Sequence, residues 1–440
     1  MKITFVGAGS TVFARNVLGD CMLVESLRES EMALYDIDGE RLDESYLILE
    51  AMNRTINEGR ARLTKYLGED KRKAALKDAD FVVTAIQVGG YEPATVVDFE
   101  VPKKYGLRQT IGDTLGIGGI FRALRSIPVF EGIARDIEEV APRAQLLNYV
   151  NPMAMITGFL QRHTGAKTVG LCHSVQVCSS RLFERLGMEE YLEGRREVIA
   201  GINHMAWLLE IEDKNGKDLY PEIKKRALLK NESEIHNDMV RFEYIRRLGY
   251  YCTESSVHNA EYNNFFIKSK YPELIDRYGI SLDEYPARCV RKIGKWKEEK
   301  EALMAPGAAK GHERSREYVS HIMDALATGK PYHFGGNVPN TGLIENLPAE
   351  ACVEVPCLAT GKGILPCYVG KLPLQLAAMN MTNINVQLLT IEAAHTLKKE
   401  HVYHAAMLDP HTSAELSLDD IVALCDDMIE AHGRWLPKYK

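Results

Sequence analysis

The feature that most constrains this chain lies in its first ten residues. Lys2 to Val6 reads as a short apolar strand. It runs directly into Gly7-Ala8-Gly9-Ser10, which opens a helix over Val12 to Leu23. A strand that ends in Gly-x-Gly and turns at once into a helix is the start of a dinucleotide-binding unit. The first glycine allows the tight turn, the second lets the backbone approach a pyrophosphate, and the helix N-terminus receives its charge. Val12 stands where the usual fingerprint has a third glycine, so the motif alone is weak. Its context strengthens it. The second strand, Glu31 to Tyr35, ends at Asp36, 27 residues beyond Gly9. A carboxylate there accepts from ribose hydroxyls and favours NAD over NADP. Gly7, Gly9, Ser10, Asp36 and Gln87 are the cofactor-contact candidates.

Strand and helix signals keep alternating. Arg41 to Ile56 is helical in period, Ala61 to Lys65 is a short strand, and helical Lys71 to Lys77 precedes the apolar strand Phe81 to Ile86. A long helix over Gly119 to Val140 follows, then strand Gln145 to Asn148, helix Ala154 to His163 and strand Lys167 to Leu171. This order predicts an α/β fold whose residues 1–173 form a Rossmann, doubly wound parallel sheet of the lactate/malate dehydrogenase kind. After Ser174 helical segments dominate, with strand-like pieces at Val198 to Ile202 and Ala206 to Ile211. Residues 174–440 read as a mixed α+β domain for substrate, metal and self-association, closing over the C-terminal edge of the sheet. Arg291 to Arg314, rich in Lys, Glu, Gly and Ala, reads as an exposed, mobile connection.

Composition narrows the function. A chain of 440 residues can build a core in each of two domains. Its net charge of −7 argues against nucleic acid as a partner. No run approaches the roughly 18 apolar residues of a membrane helix, and no basic leader precedes an apolar stretch. Nine cysteines, an odd number with no CxxC pair, point to a reducing compartment and a cytoplasmic protein.

Four polar motifs fall where strands of the sheet should end, the edge at which open α/β sheets bind ligands. They are Gln87-Val88-Gly89-Gly90-Tyr91, Asp113-Thr114-Leu115-Gly116-Ile117-Gly118-Gly119, Asn148-Tyr149-Val150-Asn151-Pro152 and Cys172-His173-Ser174-Val175. Any one of them is ordinary loop punctuation; four at one edge are a site. Downstream, Gly201-Ile202-Asn203-His204-Met205 offers an imidazole. Cys172 and His204 are candidate ligands of one divalent ion of the transition series, although their spacing matches no local metal motif. Cys352, Cys357 and Cys367 read as core thiols. Thr253 to Tyr262 gathers Glu, Ser, His and Tyr, either for sugar hydroxyls and a general base or as a polar helix entry capped by Ser256.

Together these motifs resemble the NAD- and metal-dependent family-4 glycosidases over essentially the whole chain, from the Ile3 to Thr11 stretch to Tyr403 to His411. Cys172-His173-Ser174-Val175 is the form of the family's variable tetrapeptide associated with α-galactosidases. The resemblance implies NAD and Mn²⁺ as cofactors, a small α-galactoside as substrate and no membrane or nucleic-acid partner. It implies Cys172 and His204 on the metal, Asn151 and Arg288 on the sugar, His173 near the leaving-group oxygen and Asp113 behind the proton-abstracting base. For the base it leaves two candidates, Tyr262 and His258. The implied chemistry is oxidation at C3, deprotonation at C2 and elimination at C1, not the two-carboxylate scheme of most glycosidases. The expected assembly is a homodimer or homotetramer. The competing readings are an α-glucuronidase or phospho-glycosidase of the same family, an NAD-dependent 2-hydroxyacid dehydrogenase, which would release NADH stoichiometrically, and a non-catalytic NAD-binding regulator.

Overall fold

Ile3 to Val6 and Phe81 to Thr84 are buried on both faces, the pattern of strands covered by helices above and below. The computed structural model describes residues 1–304 and 311–440. Its first six strands are β1 (Lys2–Val6), β2 (Glu31–Asp36), β3 (Arg62–Leu67), β4 (Phe81–Thr84), β5 (Gln145–Asn148) and β6 (Lys167–Gly170). They pair in parallel in the order β3-β2-β1-β4-β5-β6. This is the strand order of dinucleotide-binding domains, with the chain reversing direction across the sheet between β1 and β4. The helices Thr11–Met22, Gly39–Ile56, Gly116–Val140 and Met153–His163 fall within a few residues of their sequence expectations.

The second half extends the same sheet. Strands β7 (Arg196–Ile202), β8 (Met205–Glu212), β9 (Tyr251–Cys252), β10 (Tyr332–Pro339), β11 (Cys352–Thr360) and β12 (Gly363–Pro366) continue it as β6-β10-β11-β7-β8-β9, with β12 on β11. All of these later pairings are antiparallel. The joints are short: Asn337 opposite Gly170, and Glu354 opposite Gly201. Asn337 Nδ2 and Asn203 Nδ2 both donate to the buried Glu354 carboxylate, at 2.9 and 3.3 Å, and tie the joints together. One apolar cluster runs from Ile3 and Phe5 through Val169 to Val355 and Trp207, so a single core spans both halves of the sequence.

Three expectations need correction. Strands β10 to β12 have no counterpart in the sequence reading, because Gly335-Gly336, Pro339 and Pro356 look like breakers. Here Gly335 makes room instead: a Cβ on it would come within 2.7 Å of Val175. Residues 291–304 are not a loose connection but part of the helix Glu284–Met304, whose charged residues form a solvated face; residues 305–310 lie outside the described residues. Cys352 and Cys357 are buried, but Cys367 is exposed. No helix among the described residues is long and apolar enough to cross a membrane.

Candidate active site

The strand ends bring the site together. After β1, Gly7 takes a left-handed conformation (φ +95°), and a Cβ on it would come within 2.4 Å of the Ala85 carbonyl beyond β4. Only glycine fits that turn. Helix Thr11–Met22 then starts with no side-chain cap from Ser10, leaving its first N–H groups directed at the sheet edge. Asp36 lies beside this turn. Its Oδ2 accepts from Gly9 N at 2.6 Å and its Oδ1 from Ile37 N and Asp38 N, so the carboxylate is fixed with lone pairs to spare. Gln87 stands at the same edge but is exposed and donates to Thr95 Oγ1 at 3.1 Å.

Beyond β6 the chain turns into a short helix, His173–Gln176, with Cys172 as its N-cap and Sγ 3.0 Å from Ser174 Oγ. The β7–β8 hairpin carries His204 to the same place. Ligand atoms of Cys172, His204 and Glu254 all lie within 4.8 Å of one another. Nδ1 of His204 bonds Thr114 Oγ1 at 3.1 Å, and its Nε2 lies 3.9 Å from Glu254 Oε2, which makes Nε2 the inward-facing atom. Burial disfavours the imidazolium, yet Cys172 and the Glu254 carboxylate outweigh it and push the His204 pKa up to about 10. The sulfur, imidazole and carboxylate donors of the cluster suit a divalent ion of the transition series. Glu254 holds a left-handed backbone (φ +65°), strain of about 1–3 kcal/mol for a non-glycine residue and the kind that collects at functional sites.

Two further segments close over the cluster. The loop before helix Gly116–Val140 is pressed onto the helix's first turn: Cβ atoms on Gly118 and Gly119 would lie 2.5 and 2.6 Å from the backbone of Gly112 and Thr114. This fixes Asp113 and Thr114. Asp113 receives Thr114 Oγ1 at 2.8 Å and Asn151 Nδ2 at 3.4 Å. Burial would raise its pKa, but His258, Arg122 and His204 hold it below the usual carboxylate range. From the other side comes helix Ser256–Glu261, capped by Ser255 and not by Ser256. Glu261 accepts from the backbone N–H groups of Thr110, Ile111 and Gly112, clamping the loop to this helix. His258 Nδ1 sits 2.7 Å from Ser255 Oγ and 3.4 Å from Glu254 Oε1, with Nε2 facing Asp113 at 3.9 Å. Burial lowers its pKa, so it is neutral at pH 7. The Tyr262 hydroxyl is 3.4 Å from His204 Nδ1, and burial, then the surrounding carboxylates, hold its pKa well above that of ordinary tyrosine.

Cys172, His204, Asp113, Asn151, His258 and Tyr262 therefore converge. His173 is half exposed and pairs with Glu317. Arg288 is partly exposed, lies 3.7 Å from Glu284, and its charge reaches His258, whose pKa it helps to lower. Three neighbours escaped the sequence reading: Glu254 as a donor to the cluster, Thr114 as the bridge from His204 to Asp113, and Arg122. The last is buried and donates to the Asn151 carbonyl at 3.2 Å and to Tyr285. Only its place two turns into a glycine-rich helix start could have hinted at it.

Two family models match nearly the whole chain: family 4 glycosyl hydrolase over residues 2–188, and the family 4 glycosyl hydrolase C-terminal domain over residues 199–412. The chain is a family 4 glycosyl hydrolase. It is 60% identical to an alpha-galactosidase of Bacillus subtilis (strain 168) over the full length of both. The crystal structure of lplD from Bacillus subtilis superposes with a TM-score of 0.86 at 28% identity, covering 97% of this chain and 99% of that one. A 6-phospho-beta glucosidase from Thermotoga maritima, solved with manganese, NAD⁺ and glucose-6-phosphate, gives 0.79 at 22% over all of both chains. The malate dehydrogenase of Plasmodium falciparum gives 0.54 at 15%, over 90% of this chain and 98% of that one. The last two likenesses concern the fold, and they bear out the Rossmann, dehydrogenase-like architecture expected of this family 4 chain.

Proposed function

We propose that this family 4 enzyme is an NAD- and Mn²⁺-dependent α-galactosidase that oxidises the sugar at C3, deprotonates C2 and expels the aglycone from C1. One observation carries the chemistry: the buried Cys172–His204–Glu254 cluster shares a sheet edge with the uncapped helix beyond Gly7 and Gly9, and a phenol and an imidazole stand beside it. The identity to a Bacillus subtilis alpha-galactosidase and the Cys-His-Ser-Val tetrapeptide support galactose as the sugar.

The backbone at Gly7 and Gly9, with Ser10 and Asp36, would hold the dinucleotide; Cys172 Sγ, His204 Nε2 and Glu254 would hold the metal. NAD held there would supply hydride transfer at C3, and a divalent ion would supply Lewis-acid stabilisation of the charge that develops on the sugar. Tyr262, its hydroxyl held next to His204, would take the C2 proton as its phenolate, having first given its own proton to solvent. His258 lies between Glu254 and Asp113, 3.4 and 3.9 Å away, beside that phenol. Asn151 and Arg122 orient the sugar, and His173 protonates the leaving oxygen. Residues 1–173 serve the nucleotide and residues 174–440 the sugar and metal. Nine free cysteines support a reducing, cytoplasmic setting.

A panel of nitrophenyl glycosides tests the reading, with NAD⁺, Mn²⁺ and a thiol reductant added or withheld. The expected result is highest kcat/KM on the α-galactoside, dependence on all three additions and no net NADH. Equal kcat/KM on an α-glucuronide, or full activity after both cofactors are stripped, would overturn it.

A further inference from the structure

The chain beyond β4 runs against the nucleotide turn: a Cβ on Gly7 would meet Ala85 and Ile86 within 2.9 Å. The next residues, Gln87 to Gly90, include two glycines in left-handed conformations, Gly89 (φ +79°) and Gly90 (φ +62°), which leave the backbone free to take other paths. What fixes this loop comes from distant parts of the chain. Arg125, in helix Gly116–Val140, donates from Nε to the Val88 carbonyl at 3.1 Å. Its Nη1 and Nη2 grip Asp98, in helix Val96–Lys104, at 2.9 and 2.6 Å. The two side chains are 0% and 2% exposed, so this is a fully buried ion pair. His432, the last residue of helix Leu418–His432, bonds Asp98 Oδ1 through Nε2 at 3.0 Å, its ring stacked on Phe121. A carboxylate paired with arginine only accepts, so the proton of that bond belongs to His432. Three residues on, Trp435 lies 3.6 Å from the point that a Gly89 Cβ would occupy. Asp98 also reaches the metal-side loop. Its backbone carbonyl accepts from Gln109 Nε2 at 2.8 Å, and Gln109 Oε1 accepts from Gly118 N at 3.0 Å, in the helix that follows Asp113 and Thr114.

We infer that Asp98, Arg125 and His432 are positioning residues for the cofactor: they hold the Val88 carbonyl, and with it the Gln87 to Gly90 loop, in the shape that receives the half of NAD beyond the pyrophosphate. This rests on the NAD-dependent reading above. Asp36, at the end of β2, marks the adenosine side of β1, so the other half of a dinucleotide crosses the reversal point between β1 and β4 and meets this loop. The guanidinium is a rigid planar fork. Asp98 fixes its plane at two nitrogens, and the third then points at Val88. His432 occupies a further lone pair of the same carboxylate and keeps it from turning out of that plane. A buried ion pair is weak evidence for stability, since apolar residues of the same volume often do as well; here its third arm fixes a loop. A ligand loses affinity in proportion to the fraction of time its site is out of shape. Loosening the loop therefore shows first in NAD binding.

Arg125→Lys is the test. Lysine keeps a cation beside Asp98, but its single nitrogen cannot replace three that reach two carboxylate oxygens and a carbonyl. We expect NAD binding, titrated calorimetrically without metal or substrate, to weaken roughly 10-fold, as for a loop in shape a tenth of the time. Amide exchange of residues 87–91 in the NAD-free protein should rise with it. His432→Leu, which removes the donor to Asp98, should weaken NAD roughly threefold or more, and His432→Gln, which returns an N–H, should restore it to within about twofold. Arg241→Lys is the control: it makes the same change in the buried pair of Asp238 and Arg241, in the other half of the chain. It should lower the melting temperature and leave NAD binding within about twofold of wild type. A folded Arg125→Lys protein that binds NAD as wild type does, or an equal loss in Arg241→Lys, overturns the proposal, because a merely structural pair lowers the melting temperature without touching the nucleotide. Should Arg125→Lys fail to fold, His432→Leu against His432→Gln decides by the same titration. Wild-type protein that binds no NAD would overturn the cofactor reading instead, which is a distinct result.

Discussion

Replacing Thr114 with valine removes one hydroxyl and leaves the shape of the side chain. That hydroxyl bridges His204 Nδ1 at 3.1 Å and Asp113 Oδ1 at 2.8 Å, and Thr114 is almost fully buried. In the bound state His204 must present Nε2 as a lone pair, which places its proton on Nδ1. Thr114→Val removes the nearer partner of that N–H and leaves only the Tyr262 hydroxyl at 3.4 Å, and weakening the hydrogen bond of a buried donor costs about 1–3 kcal/mol. At 1.4 kcal/mol per decade this weakens Mn²⁺ binding roughly 5- to 150-fold. The range agrees with the roughly 10- to 100-fold loss typical when a metal-bound histidine loses its outer partner. The assay is calorimetric titration of metal-free protein with Mn²⁺ at saturating NAD. Melting curves check the fold. A variant that binds NAD normally and Mn²⁺ within about twofold of wild type would refute the chain of contacts from His204 to Asp113.

Cys172→Ser and His204→Ala should each lose bound metal by elemental analysis while NAD affinity stays within about threefold, because both residues lie beyond the nucleotide turn; unchanged metal content in both would remove them as ligands. Tyr262→Phe should lower kcat by roughly 100-fold or more and His258→Asn by less, since only the first removes the proton acceptor at C2; the reverse order of rates would make His258 the base. Glu261 bears on pH. Burial, against three backbone N–H donors, pushes its carboxyl up to about 7 from an ordinary 4.5. A carboxyl raised on folding favours the fold while protonated, so its contribution is complete below about 4.5 and lost as pH rises through about 7. The stability advantage of wild type over Glu261→Gln should therefore shrink between pH 5 and 8 in denaturant melts, and a widening advantage would contradict it.

The nucleotide half was legible because its signals are local. A strand period, a Gly-x-Gly turn and an acidic strand end all lie within a short stretch, and β1 and β5 fall on the residues expected. The later strands were not legible. Their glycines and prolines are accommodated by tertiary contacts such as Val175 against Gly335, which no local pattern reports. The site divides the same way. Asp36 and Asp113 could be read from their motifs. Cys172 and His204 meet only because β10 and β11 insert between β6 and β7, a sheet order absent from their spacing. Glu254 lay in a polar stretch that equally suited a helix entry, and that stretch is a helix entry as well, with Ser255 as its cap.

The central claim is that a C2–H bond breaks in every turnover, and hydrolysis in D₂O tests it most directly. Displacement at C1 alone leaves C2 untouched, as does hydrolysis by paired carboxylates. In the proposed mechanism the proton leaves C2 for Tyr262, at a sheet edge that water must enter to finish the reaction, and it exchanges with solvent before a hydrogen returns. The account predicts galactose bearing deuterium at C2 and its original hydrogen at C3, read by NMR of the product. Full retention of the C2 hydrogen after many turnovers, with no primary isotope effect on a C2-deuterated galactoside, would contradict it.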